Sequence, residues 1–331
     1  MKKHARKLQF TGKSTYIVSL PKKWVLEHGL KAGSTVVVEE RGSVLLIKPG
    51  EHLKEEPKRL TIVVNENTPP EVYARYVIGA YLVGYDEVYL RGSITPALRN
   101  TIRAIILTKL LAAEIVSEDA SEIQIKIVLS YNNIGIKEAM RRLAKITVST
   151  LHDACKALST RDPAVAEEVA KEDDSVDRAY FFVNRLISLA VTREAGVEEL
   201  SPLDPLFYRS ASKLLERIGD HAANIALHSK QVEDVPSEVS ALCNEVVELV
   251  KSSSEALLSK NPMHVQKISS IVDYIKEAEE RIMRSFMEKA SPAQLIPLKM
   301  ILESIRRIAE YSKDIAELAL DLGIERVGVS D

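Results

Sequence analysis

The sequence predicts a multidomain, mainly α chain: a small β-rich N-terminal domain, a small α/β domain, then two tandem three-helix bundles. Three observations carry that reading. Gly and Pro total only 26 of 331 residues, about 8% against a usual ~12%, which favours long helices over a sandwich or barrel. From Gly135 onward apolar residues recur every three to four positions almost to the end. Ahead of that region the period is two or mixed. The composition is globular, with 46% hydrophobic and 28% charged residues, and a chain of this length is expected to hold two or three domains.

The formal net charge is −2, but it is unevenly placed. Residues 1–50 hold ten Lys and Arg against three Asp and Glu, a balance of +7, leaving −9 on the other 281 residues. Seven of those bases, Lys2, Lys3, Arg6, Lys7, Lys13, Lys22 and Lys23, fall in the first 23 residues, which carry no carboxylate. Such a run reads either as a solvated face or as a footprint for phosphates, because Lys and Arg displace the counterions condensed on nucleic acid. The segment is patterned, which favours the second reading. Leu8–Phe10 and Tyr16–Leu20 read as strands around a turn at Gly12, Lys13 and Ser14. Pro21 suits the first turn of a helix, Trp24, Val25 and Leu26 give it an apolar side, and Gly29 stops it. Thr35–Glu39 and Val44–Lys48 read as a hairpin around Arg41 and Gly42. About 50 residues hold too little core to stand alone easily, and a second, intertwined copy would complete it. Gly12, Lys13 and Ser14 end like a phosphate-binding loop, but Lys7 occupies the required earlier glycine position, so no such loop is present.

Glu51–Lys58 reads as a charged linker. Beyond it, Leu60–Val64 is strand-like, Pro70–Val83 helical, and Glu87–Leu90 strand-like again. Thr95 and Pro96 open a helix with Leu98, Ile102 and Ile105 on one face, and Ile123–Leu129 alternates as a strand does. The order β-α-β-α-β-β marks an α/β domain over 58–131, expected to act as a connector or dimerisation module, with small-ligand sensing as the lesser alternative. It holds no dinucleotide fingerprint, His/Asp pair or metal-ligand spacing.

The helical half divides into 134–231 and 236–322. In the first, Met140, Leu143, Leu151, Cys155 and Leu158 form a bundle-core stripe. Arg161-Asp162-Pro163 breaks that helix, a second runs from Ala164 to about Arg193, and a third from Leu206 to Ser229. The plan returns with Ser237–Ser259, the breaker Lys260-Asn261-Pro262, Met263–Lys289, a connector at Pro292–Pro297, and a last helix to Leu322. The breakers align at an offset of 99 and the third helices at 90, where ERIGDHAANIA (216–226) lies over RRIAEYSKDIA (306–316). Matched spacing of this kind marks an internal duplication.

Two resemblances follow from these residues. The stretch RKLQFTGKSTYIVSLPKKWVLEHGLKAGSTVVVEERGSVLLIKP resembles the AbrB/SpoVT swapped-hairpin DNA-binding domain, covering about 45 residues. That resemblance implies a homodimer that lays basic strands on DNA through Lys2, Lys3, Arg6, Lys7, Lys13, Lys22 and Lys23. The tandem bundles resemble PhoU-type phosphate-uptake regulators over about 190 residues, most specifically at Leu214–Ala226. This implies a regulator of phosphate import and phosphate-starvation genes, docked on the ATPase of a phosphate transporter or on a sensor kinase, with carboxylate-bound metal. The fused arrangement is one associated with archaea.

The residues themselves supply a physical case for metal. Asp173 and Asp177, and Glu216 and Asp220, are pairs spaced four apart, so each pair lies on one helix face with Cβ atoms ~5–6 Å apart. On neighbouring helices these four oxygen donors would suit Fe, Mn, Mg or Ca. The same spacing also describes a solvated face, and Glu172, Asp173 and Asp174 form a charge run. The second repeat departs from the pattern, with Val272, Lys276 and Arg306 at the positions of Asp173, Asp177 and Glu216. A weaker set, Asp273, Glu310 and Asp314, remains, and an ion pair of Arg306 is the expected substitute. No His has Glu three residues before it, so the ferritin-like motif is absent, and His221 reads as a partly buried, satisfied imidazole. Cys155 and Cys243, far apart in sequence and without a CxxC, read as small core residues. They argue against a disulfide scaffold and a zinc ribbon and fit a reducing cytoplasm.

No segment is apolar enough to span a membrane, since Lys109 interrupts even Ile102–Val116, and no organic cofactor is expected. The expected function is a DNA-binding, phosphate-responsive regulator, not an enzyme. A carboxylate-bundle metalloenzyme is the first alternative, but it lacks a nucleophile–base pair. An AbrB-type antitoxin is the second, against which stand some 280 further residues of folded pattern.

Overall fold

The computed structural model describes residues 4–12, 14–41, 43–50, 57–128, 134–193, 200–201, 203–261, 265–287 and 291–326. The expected linker at 51–56, the end of the strand at Leu129 and the breaker proline Pro262 lie outside them. The chain forms two compact units, Met1–Pro57 and Lys58–Asp331.

The first unit is two hairpins and a short helix. β1 (Gln9–Thr11) pairs antiparallel with β2 (Thr15–Ile17), and Phe10 stands opposite Tyr16. Gly12 takes φ +64 in the turn between them, a conformation open to Gly at no steric cost. α1 (Lys22–Glu27) follows Pro21, and Gly29 closes it at φ +62. β3 (Val36–Arg41) and β4 (Val44–Pro49) form the second hairpin. None of its described residues is buried; Phe10, Tyr16 and Leu45 are 59%, 68% and 64% exposed.

The second unit opens with an α/β layer: β5 (Arg59–Val64), α2 (Pro70–Leu82), β6 (Glu87–Gly92), α3 (Pro96–Thr108), β7 (Ala113–Glu118) and β8 (Glu122–Ile127). The sheet order is β5-β6-β8-β7, with β5 and β6 parallel and the remaining pairs antiparallel. Alternation sends Val88, Leu90, Ile123 and Ile125 into a core with Tyr73, Val77 and Ile102 of the two helices. Thr95 caps α3, its hydroxyl accepting from the Leu98 N–H. Two contacts fasten this layer to the helical half. The fully buried Arg185 donates to the Tyr81 carbonyl (2.6 Å) and pairs with Asp86 (3.3 Å), and Lys109 pairs with Asp177 (2.8 Å).

Six helices complete the unit: α4 (Ile136–Thr160), α5 (Pro163–Arg193), α6 (Asp204–Ser229), α7 (Ser237–Ser259), α8 (Val265–Met287) and α9 (Pro292–Gly323). They share one apolar core. α4 lies against α7, α6 against α9, α5 covers α4 and α6, and α8 covers α9. The duplication is visible in the backbone: the last residues before the two breaks, Arg161 and Lys260, both enter the left-handed region, at φ 57 and φ 53. The third helices meet at equivalent positions, with the rings of His221 and Tyr311, 90 residues apart, at 5.8 Å.

Two expectations are corrected. The segment Pro292–Pro297 is the start of α9, not a connector: Ser291 precedes it in extended conformation, Pro292 occupies a first-turn position, and Pro297 is buried inside the helix. A proline that near a helix start forfeits only one of the early backbone hydrogen bonds. Cys155 and Cys243 are buried core residues, but they are joined as a disulfide, with Cα atoms 5.6 Å apart. Their separation of 88 residues hid the pairing; α4 against α7 closes it.

Candidate functional site

The basic residues of the first unit that are described, Arg6, Lys7, Lys22 and Lys23, are all exposed. Lys23 pairs with Glu27 at 3.5 Å across one turn of α1. Lys2, Lys3 and Lys13 lie outside the described residues. Arg6 and Lys7 immediately precede β1, and Lys22 and Lys23 open α1, so positive charge collects on exposed backbone ends and the α1 surface.

The first-repeat carboxylates meet on the facing sides of α5 and α6. Asp173 is pushed above the usual carboxylate range by burial, then by the charges of Asp177, Asp174 and Glu216. Asp220 is pushed up to about 6, by burial and by Glu216, Asp173 and Asp177. Four acids therefore share one electrostatic neighbourhood, as the spacing on each helix predicts. Close packing makes this possible: Gly219 leaves room for Val176, whose Cγ1 would lie 2.9 Å from an added Cβ. Two lysines answer the charge. Lys109, from the end of α3, bonds Asp177, and its own pKa is raised chiefly by that bond. Lys213 bonds both oxygens of Glu216 at 2.5 Å. Asp173 and Asp220 have neither an ion pair nor a hydrogen bond among the described residues.

The donor set is chemically right for a hard cation such as Fe, Mn, Mg or Ca, because four carboxylates carry four negative charges against two ammonium groups. The geometry is gathered but not converged: among the described residues no three carboxylate, imidazole or thiol groups stand close enough to hold one ion. The second set does not fit a metal. Glu310 is bound by Arg306 (2.9 Å), Arg307 (3.2 Å) and Lys276 (3.5 Å), and Arg306 also pairs with Glu279 at 2.8 Å. Those bases hold the Glu310 carboxyl below its usual value against its burial. Asp273 is exposed, and Asp314 is pushed up by burial, Glu317 and Glu310. His221 is half-buried, with Nδ1 3.3 Å from the Ser304 hydroxyl, and burial lowers its pKa.

Reading the sequence alone missed Lys109 and Lys213 as parts of this site. Lys213 carried a signal, three residues before Glu216 on one helix. Lys109 stood out only as a charge in an apolar run, and its partner is 68 residues away.

The PhoU domain profile matches this chain twice, over residues 140–228 and 239–319. A profile described as "Antidote-toxin recognition MazE, bacterial antitoxin" matches residues 9–54. The α/β layer lies outside both matches. Among relatives, a "Phosphate-specific transport system accessory protein PhoU homolog" of Clostridium acetobutylicum is 24% identical over 195 residues, 55% of this chain and 87% of the relative. The Aquifex aeolicus protein of the same description is 25% identical over 157 residues, 46% and 70% of the two chains. Two solved structures share the fold. The phosphate transport system regulatory protein PhoU of Streptococcus pneumoniae superposes with a TM-score of 0.53 at 17% identity, covering 59% of this chain and 96% of that one. PhoU of Pseudomonas aeruginosa gives 0.52 at 18%, covering 57% and 96%. No described helix is long and apolar enough to cross a membrane.

Proposed function

The chain belongs to the PhoU domain family, and from that premise we propose that it is a regulator of phosphate uptake that acts on DNA through its N-terminal hairpin unit. The observation that carries the reading is one chain joining a duplicated PhoU bundle to a basic unit without a buried residue. Hairpins with Phe10, Tyr16 and Leu45 in water are incomplete alone, and a second copy of the unit supplies the missing core while doubling the basic surface. The helical half then reports phosphate status by docking on the ATPase of a phosphate transporter or on a sensor kinase, in the cytoplasm. The reading requires no catalytic step.

Salt tests the DNA role. If ~6–10 phosphates are contacted, affinity falls ~10³–10⁵-fold between 50 and 200 mM salt, measured by fluorescence anisotropy on operator fragments found by genome-wide mapping. A flat salt response refutes DNA binding. Reporter expression that is the same in phosphate-rich and phosphate-starved cells lacking the protein refutes the phosphate role.

The MazE match favours one second reading, an antitoxin that covers a toxin with its N-terminal unit. Co-purification of a neighbouring toxin, and growth arrest when the chain is depleted, would select it. For the carboxylates of α5 and α6, the reading is an oxygen-ligated cation on Asp173, Asp177, Glu216 and Asp220, which would supply positive charge beyond that of the two lysines. Elemental analysis of wild type and Asp220→Ala tests it; equal metal content in both rejects the site.

A further inference from the structure

A cleft of about 370 Å³ runs between α4 and α5, walled at one end by Leu111 of the turn after α3. Neither the DNA reading nor the cation reading uses it. Arg142 contributes a guanidinium from α4 and Arg178 another from α5. Neither makes an ion pair or a hydrogen bond among the described residues, and the Arg178 Nε is buried without a partner. This sets them apart from Arg59, Arg91, Arg185 and Arg306, each of which has a carboxylate. An unsatisfied buried donor costs ~1–3 kcal/mol, more when charged, so a guanidinium left that way in a cleft awaits an acceptor from outside the chain.

The rest of the lining narrows the acceptor. Ser149 and Ser175 present hydroxyls from the two helices, neither engaged in a hydrogen bond. Two guanidiniums with hydroxyl donors match the tetrahedral, multiply accepting oxygens of a phosphate group. The floor is different in kind: Ile146 and Ala179 lie beside Phe182, which is 3% exposed. The volume would hold roughly a dozen waters at ~30 Å³ each, far more than a bare phosphate ion needs, and is typical of small-molecule sites. Glu172 adds an acceptor, because its Oε2 is buried and unpartnered in the same lining. It suits a hydroxyl on the ligand's organic part and would repel a second phosphate.

We propose that this cleft binds a small phosphate monoester, its phosphate held by Arg142 and Arg178 and its organic body lying on Ile146 and Phe182 with a hydroxyl donated to Glu172. The assignment stands apart from the DNA and cation readings and survives the failure of either.

The test is isothermal titration of the full-length protein with adenosine monophosphate, glucose 6-phosphate, inorganic phosphate and adenosine. At least one monoester should bind, with inorganic phosphate at least tenfold weaker and adenosine without measurable heat. Arg142→Met and Arg178→Met should each weaken the monoester at least tenfold. Arg142 is exposed, so its variant keeps the fold and decides the matter even if Arg178→Met is unstable. Failure of both monoesters to bind wild type, or equal binding to wild type and Arg142→Met, overturns the site. Inorganic phosphate binding as tightly as the esters overturns the role of the apolar floor.

Discussion

Replacing both Cys155 and Cys243 by Ala should lower the melting temperature of the second unit by about 8 °C. The bond closes a loop of 88 residues between α4 and α7, and the chain-entropy relation assigns such a cross-link about 4.5 kcal/mol of stabilisation through the unfolded state. A unit of roughly 270 residues unfolds with an entropy of about 0.57 kcal/mol/K, and dividing the first figure by the second gives the shift. Alanine itself costs little in this setting, since Cys packs as a small apolar group. Differential scanning calorimetry of the oxidised protein and the double variant measures it. Because the two cysteines are 3% and 0% exposed, reductant should leave the bond intact in folded protein and cleave it in 6 M guanidinium chloride. Two thiols titrating in freshly unfolded, unreduced protein would show that the bond is absent, and a shift within 2 °C would show that the loop-closure argument fails here.

Gly219→Ala should destabilise by about 1 kcal/mol: the ~1 kcal/mol of helix propensity gained is exceeded by overpacking against Val176, and adding Val176→Ala should restore most of the loss in urea melts. Asp220, with a pKa pushed up to about 6, favours the folded state while protonated, so its contribution is full below the unfolded value near 4 and is lost as pH rises through about 6. Asp220→Asn should therefore flatten the decline of melting temperature between pH 5 and 7; an unchanged slope would contradict the crowding of carboxylates. Arg185→Met strips a fully buried cation from Asp86 and the Tyr81 carbonyl and should cost ~3–5 kcal/mol. Chemical denaturation should show less than an additive loss when Asp86→Asn is combined with it.

Much of the fold is written in local signals. Thr95 with Pro96 marks the start of α3, and Ser237–Ser259 and the Arg161 break are readable from apolar period and proline placement. What escaped was decided by distant or unusual backbone. β7 was hidden because the apolar run from Ile102 to Val116 contains no Gly or Pro to mark the end of α3. The chain turns instead at Ala112, a non-glycine residue at φ 61. The Pro292–Pro297 segment misled for the opposite reason: two prolines suggested a connector, yet both fall where a helix start tolerates them. At the carboxylate site, the spacing within α5 and within α6 was legible because it is set by helix geometry. The lysines that neutralise it were not, because Lys109 comes from another layer and sequence spacing carries no information about it.

That lysine also changes what the α/β layer can be. A spacer needs no buried charge, yet this layer is held to α5 by Arg185, which is fully buried over the Tyr81 ring at 4.9 Å. A desolvated guanidinium is tolerated only where its partners are held in place, so the layer cannot lift from α5 without stranding that charge. One helix turn N-terminal to that clasp region, the layer's Lys109 supplies a positive charge to Asp177. Two residues later Leu111 walls the cleft between α4 and α5, and the Tyr81 hydroxyl donates to its carbonyl at 3.1 Å. The turn after α3 thus touches the carboxylates through one residue and the cleft through another. Any change in charge at Asp177 alters the seat of that turn, and the layer that carries the turn begins at Arg59, just beyond the end of the hairpin unit at Pro57. Of all the elements, this layer is the one placed in the chain to connect the charge on the bundle with the basic hairpins that precede it.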